Sequence, residues 1–284
     1  MDINALSDEE LEAHMNPRVA VADAESYLTD WVERSADARE RLGGKLDIAY
    51  GDTPGQTLDV FRAESSDAPI HIFIHGGYWR ALDKSANSFV AEALVAAGAT
   101  TVLLNHDLCP VVTLDEIVAQ IKRAIAWVYE NAAQIGGDAN RIFVSGHSAG
   151  AHLAMMALAH DWGGDGLPPD LIKGVVGVSG VYDLAPVLRV SVNEEVQLND
   201  DMAARNSPVL HPPSSPAPIV IAAGQQEPAG FVAQSTNFYD VCRKSGLDAE
   251  YLECPGDDHF SILYTLANPI SGLCGLTLRQ MSLA

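Results

Sequence analysis

The chain is short of basic residues, of cysteine and of long apolar runs, and each shortage narrows what it can be. Lysine and arginine number 17 against 38 aspartates and glutamates in 284 residues, a formal charge of −21. Such an excess repels phosphate backbones and anionic membrane surfaces, so neither nucleic acid nor membrane is an expected partner. The four cysteines, Cys109, Cys242, Cys254 and Cys274, form no CxxC pair and lie far apart. That points away from a zinc site or a dense disulfide framework and toward a reducing compartment. The opening MDINALSDEELEAHM is acidic, without an apolar core behind a basic flank, and is not expected to act as a signal peptide. No apolar run reaches the ~20 residues that cross a bilayer. A soluble cytoplasmic protein is expected, with a homodimer as the common state for a chain of this size.

What is present is a rhythm. Ser7 and Glu10, flanked by Leu6 and Leu11, make a capping box with a hydrophobic staple, and a second helical stretch runs from Pro17 to the glycines at 43 and 44. Both are expected to cover one side of the core. LDIAYG and TLDVFRAE, separated by a turn with Pro54 and Gly55, predict an antiparallel hairpin. Then strands and helices alternate: IHIFIHGG, a helix over 81–98, TTVLLNHD, a helix over 113–135 capped by Thr113 and Glu116, RIFVSG, AGAHLAMMALAH, IKGVVGVSG, APIVIAAG, a helix over 232–245 and DAEYLECPG. That alternation predicts an α/β fold: a mostly parallel central sheet with an antiparallel N-terminal hairpin and helices on both faces. Residues 1–45 are read as a helical cover and 46–284 as the main domain. Within it, 182–216 breaks the rhythm with Pro, Asn, Asp and Ser, as lid-like insertions do.

Gly146, His147, Ser148, Ala149 and Gly150 form GHSAG between a predicted strand and a predicted helix. That context is what a nucleophile elbow requires, although an inert strand-to-helix junction would explain the same five residues. A serine needs a base to take its proton, and His259 follows the last predicted strand. The base needs an orienting acid, and Glu227 follows the strand before it, with Asp257 and Asp258 as alternatives beside the histidine. Donors for a developing oxyanion are found in HGGYW at 75–79: the amides of Gly77 and Tyr78, together with that of Ala149. His75 is read as a hydrogen-bonding brace, and His152 and His160 as packing or surface residues.

HGGYW, GHSAGAHL, SGVYDL and the late DHF resemble the α/β-hydrolase superfamily, and within it the kynurenine formamidase branch, over about residues 46–266. The resemblance implies a serine hydrolase cleaving an aryl formamide such as N-formylkynurenine through an acyl-enzyme, without metal or organic cofactor. An aromatic leaving group needs an aromatic-compatible wall, for which Tyr78, Trp79 and Tyr182 are the candidates, each with core packing as its alternative, and Asn193 in the insertion is expected to face the pocket. One departure stands out: the family carries aspartate in a DSPEF-like stretch where QEPAGFVAQS has Glu227, and Gly230 replaces a common glutamate. A short-chain carboxylesterase of the same fold is the nearest alternative, and a ligand-binding homologue without catalysis the remotest.

Overall fold

The computed structural model describes residues 3–284, and the apolar runs become strands: β1 (Lys45–Ala49), β2 (Thr57–Phe61), β3 (Ala68–Ile74), β4 (Thr100–Leu104), β5 (Gly137–His147), β6 (Ile172–Val178), β7 (Ile219–Gly224) and β8 (Ala249–Cys254). They lie in one sheet in the order β1-β2-β4-β3-β5-β6-β7-β8. β2 runs antiparallel to β1 and to β4, and every other neighbouring pair is parallel. β3, β4 and β7 are buried along their whole length, as continuous Val- and Ile-rich strands are when helices cover both faces.

The helices are α1 (Asp8–Met15), α2 (Pro17–Ala20), α3 (Ala24–Leu42), α4 (Ala91–Ala96), α5 (Leu114–Glu130), α6 (Ala132–Ile135), α7 (Ala149–Leu158), α8 (Asn193–Val196), α9 (Asp200–Arg205), α10 (Ala229–Lys244), α11 (Ile262–Leu266) and α12 (Gly272–Gln280). Side chains alternate across the sheet, so two cores form. Ile70, Ile72 and Ile74 of β3 pack in the same cluster as residues of α1, α5, α7 and α10. Phe73, on the opposite face, belongs to the cluster that includes α3, α4, α11 and α12.

This places the N-terminal segment differently from the sequence expectation. It does not cover one side: Leu11 and Met15 of α1 join one core, while Trp31 and Ala38 of α3 join the other. The expected single helix after Pro17 is also divided, with Asp23 in a left-handed conformation between α2 and α3. The segment therefore passes from one face of the sheet to the other.

Other differences have local causes. The helix expected over 81–98 starts as a 3-10 helix, Lys84–Val90, and becomes α-helical only from Ala91. Ser85, Asn87 and Ser88 are weak helix formers, and the buried Lys84 ammonium is drawn to Asp47 (2.6 Å) and Asp59 (3.0 Å). The helix expected over 113–135 breaks at Asn131, whose side chain donates to the Trp127 carbonyl at 2.8 Å. Ser7 and Glu10 complete their capping box, whereas Thr113 accepts from the Glu116 amide but Glu116 itself turns to Arg123. The insertion holds Pro186–Arg189 as a 3-10 turn with α8 and α9, and α11 and α12 lie beyond the last element that the sequence pattern predicts.

His71 is an exception within the apolar strand β3. Both ring nitrogens are buried without a partner among the described residues, and burial pushes its pKa down to about 3. Between pH 6.5 and 3 the unfolded chain binds a proton that the folded chain does not, so this group lowers stability as pH falls through that window. At pH 5 the loss is about 2 kcal/mol. His71→Leu should therefore gain about 2 kcal/mol on the wild type between pH 7.5 and pH 5, measured by urea unfolding. A stability difference that does not change with pH would refute this.

Candidate active site

β5 ends at His147 and α7 begins at Ala149, so the chain reverses on Ser148, which has φ 56° and ψ −120°. Residues with a side chain rarely adopt such a conformation, and it persists only where the surroundings enforce it. The turn is tight enough that a Cβ on Gly146 would strike the Gly150 carbonyl, and one on Gly150 the carbonyl of Ile74. The Ser148 amide donates to Val178 O at 2.8 Å, tying the turn to β6.

His259 lies in the loop after β8, and its Nδ1 is 2.9 Å from Glu227 Oε2, in the loop after β7. Both side chains are buried, the carboxylate completely. The other carboxylate oxygen accepts from Ser179 Oγ (2.5 Å) and from the Gly224 amide (2.6 Å). With Nδ1–H donated to Glu227, the neutral imidazole keeps Nε2 as a proton acceptor. Ser148 and His259 line one recess of about 520 Å3, its mouth included. Asp257 and Asp258 are engaged elsewhere. Asp258 accepts from the amides of Phe260 (2.7 Å) and Ser261 (2.8 Å) and from Tyr27 (3.0 Å), and Asp257 accepts from Ser261 (2.9 Å) and Thr265 (2.6 Å).

HGGYW bends sharply beside this recess. Gly77, Tyr78 and Trp79 have φ of 105°, 50° and 57°, and the Gly77 carbonyl accepts from the amides of Arg80 (3.1 Å) and Ala81 (3.0 Å). A Cβ on Gly77 would collide with the Ala81 carbonyl. The amides of Gly77, Tyr78 and Ala149 have no acceptor among the described residues. His75 braces the loop: it stacks on His106 with ring centroids 4.6 Å apart, and its ring lies 2.8 Å from Gly76 O and 3.1 Å from Asn105 Oδ1. Burial lowers its pKa, which favours the neutral ring.

Of the expected substrate contacts, only Tyr78 lines the recess, and its hydroxyl is bound to the Met15 carbonyl. Trp79 is fully buried and donates Nε1–H to His152 Nδ1 at 3.2 Å, so it anchors the loop from behind. His152, held neutral by burial with its pKa down to about 4, in turn donates to Asn206 O at 2.7 Å. Tyr182 is stacked on Phe238 with centroids 4.3 Å apart in the core under the insertion. Asn193 ties the insertion to itself through Leu198 N at 2.7 Å; its neighbour Val192 reaches the recess instead. Trp79 and Tyr182 are thus core aromatics, and the half-buried Asn193 spends its side chain inside the insertion.

Four further residues contribute that no sequence motif singles out for these roles. Trp31, from the N-terminal segment, lines the recess, as does Arg80, which directly follows HGGYW. Ser179 holds Glu227, and its place after β6, next to the serine strand, was the available signal. His147 donates Nε2–H to the His259 carbonyl at 2.8 Å, pinning the histidine loop against the serine turn. Burial, and secondarily the neighbouring His259, holds His147 well below its ordinary pKa and hence neutral.

The family model BD-FAE matches residues 58–241. The chain is 34% identical to a kynurenine formamidase of Danio rerio, covering 99% of this chain and 98% of that one, and 34% identical to one of Salmo salar, covering 97% of each. Esterase LipC of Mycobacterium tuberculosis is 28% identical over 75% of this chain and 58% of its own. A crystal structure from Silicibacter sp. TM1040 superimposes with a TM-score of 0.83 at 30% identity, covering 94% of this chain and 98% of that one.

Glu227→Gln should lower kcat on an activated aryl ester by roughly 10^3-fold or more, as loss of the orienting acid does. Asp258→Asn should leave kcat within roughly tenfold but cost about 1–2 kcal/mol in urea unfolding, because it loosens hydrogen bonds within its loop. If Asp258→Asn proves the more damaging to kcat, the orienting carboxylate belongs to the histidine loop.

Proposed function

Because the chain belongs to the BD-FAE family and is a hydrolase of the α/β-hydrolase fold, we propose that it cleaves a small aryl amide, N-formylkynurenine or a close analogue, through an acyl-serine. The observation that carries the reading is the His259 ring, its Nδ1 held 2.9 Å from a buried Glu227 while the ring shares a recess with the strained Ser148. In this mechanism Ser148 Oγ bonds to the formyl carbon as its proton passes to His259 Nε2. The amides of Gly77, Tyr78 and Ala149 receive the oxyanion. Collapse breaks the C–N bond, and His259 protonates the departing amine. Water, deprotonated by the same nitrogen, then attacks the formyl-serine and releases formate.

Two features support an aryl formamide over other acyl substrates. The formamidase relatives align along almost the whole chain, including the N-terminal segment that walls the recess, whereas the BD-FAE match begins at residue 58. The walls beside the serine are also largely apolar, with Pro17, Leu28, Trp31, Leu82 and Phe260 offering a surface for an aromatic leaving group. A short-chain carboxylesterase is the second reading, favoured by the LipC relative.

Ser148→Ala should abolish labelling by a fluorophosphonate and cut turnover by roughly 10^4-fold or more. Near-normal turnover in that variant would overturn the serine mechanism. Measured side by side, kcat/KM should be higher for N-formylkynurenine than for p-nitrophenyl acetate; a clear preference for the ester would favour the second reading.

A further inference from the structure

In a chain of formal charge −21, the recess beside Ser148 is lined by two arginines, Arg18 and Arg80, and by no aspartate or glutamate. Arg80 is the better placed. Its amide donates to the Gly77 carbonyl at 3.1 Å, so its backbone is fixed to the loop that carries the free amides of Gly77 and Tyr78. Its side chain is only 20% exposed, and its Nε is buried with no acceptor among the described residues. Its Nη1 is paired with Glu195 of α8, whose own side chain is 54% exposed. A guanidinium has five N–H donors in a planar fork, and a buried unsatisfied one is costly.

We propose that Arg80 recognises a carboxylate on the substrate, which therefore belongs to the acidic amides or esters rather than the neutral ones. Glu195 occupies part of the fork from the solvent side and is the group an incoming carboxylate competes with. A planar carboxylate can take two N–H groups of the fork together, which a lysine could not offer. Arg18, on the same recess, is already paired with Glu25 at 3.5 Å and is not part of the assignment.

The inference rests on the hydrolase reading of this recess, and the test separates the two. The readout is the ratio of kcat/KM for N-formylkynurenine to that for its α-carboxamide. In the wild type it should exceed one and fall as salt is raised. Arg80→Gln should lower it roughly ten- to a hundredfold, and Arg80→Lys should restore part of it. Glu195→Gln, an exposed change that spares the fold, should raise it. A ratio near one in the wild type, a ratio unmoved by Arg80→Gln, or a ratio unmoved or lowered by Glu195→Gln overturns the assignment. Failure of the serine mechanism would appear separately, as turnover of both substrates surviving Ser148→Ala.

Discussion

The Glu227 carboxylate is withdrawn completely from solvent, and the rest of the site is arranged around that fact. An ionised carboxylate out of water costs several kcal/mol unless its oxygens are bonded. Its three donors come from three strand ends: Ser179 after β6, the Gly224 amide ending β7 and His259 after β8. They meet only because β6, β7 and β8 are parallel neighbours, with Val178 opposite Ala222 and Gly224 opposite Cys254. Satisfying one buried charge thus depends on the register of three strands.

Backbone strain gathers at the same edge of the sheet. Ser148, Tyr78, Trp79 and Ser179 all have φ between 50° and 57°, and each such residue costs on the order of 1–3 kcal/mol. The cost is offset by anchors that cannot relax independently. The Ser148 amide is held by Val178 O, the Ser179 amide by Ala222 O and the Trp79 carbonyl by Cys109 N, each at 2.8 Å. Trp79 illustrates the division of labour: its ring is buried against His152, and this holds the loop in the shape that leaves the Gly77 and Tyr78 amides without an acceptor among the described residues.

Strand order of types, the two-sided burial of β3 and the strained turn at Ser148 were legible because each follows from local pattern: apolar continuity, helical period, glycines around a serine. Glu227 and His259 were legible from the position of strand ends in the chain. What sequence could not show was depth. Trp79 and Tyr182 follow strand ends, yet their side chains turn into the core, and Asn193, at the start of α8, is used up inside the insertion. Nor could it show that the N-terminal segment passes from α1 on one face to α3 on the other, because helical periodicity identifies a buried stripe without saying which face receives it.

That crossing ties the walls of the recess to its reactive edge. Asn16, Pro17 and Arg18, between α1 and α3, line the recess, and Val192 joins them from the insertion. The two segments are clasped by Ser191 to Glu12 at 2.7 Å and by Arg189 to Asp8 at 2.8 Å, exposed contacts that contribute little individually. Buried Leu11, Met15 and Val192 hold them more firmly. The Tyr78 hydroxyl, buried in the loop of free amides, is satisfied by the Met15 carbonyl of α1. Lifting α1 away would leave that hydroxyl without its partner, so the wall and the Tyr78 amide share one energetic unit. Changes in the N-terminal segment therefore act on the candidate oxyanion donors as well as on the shape of the recess.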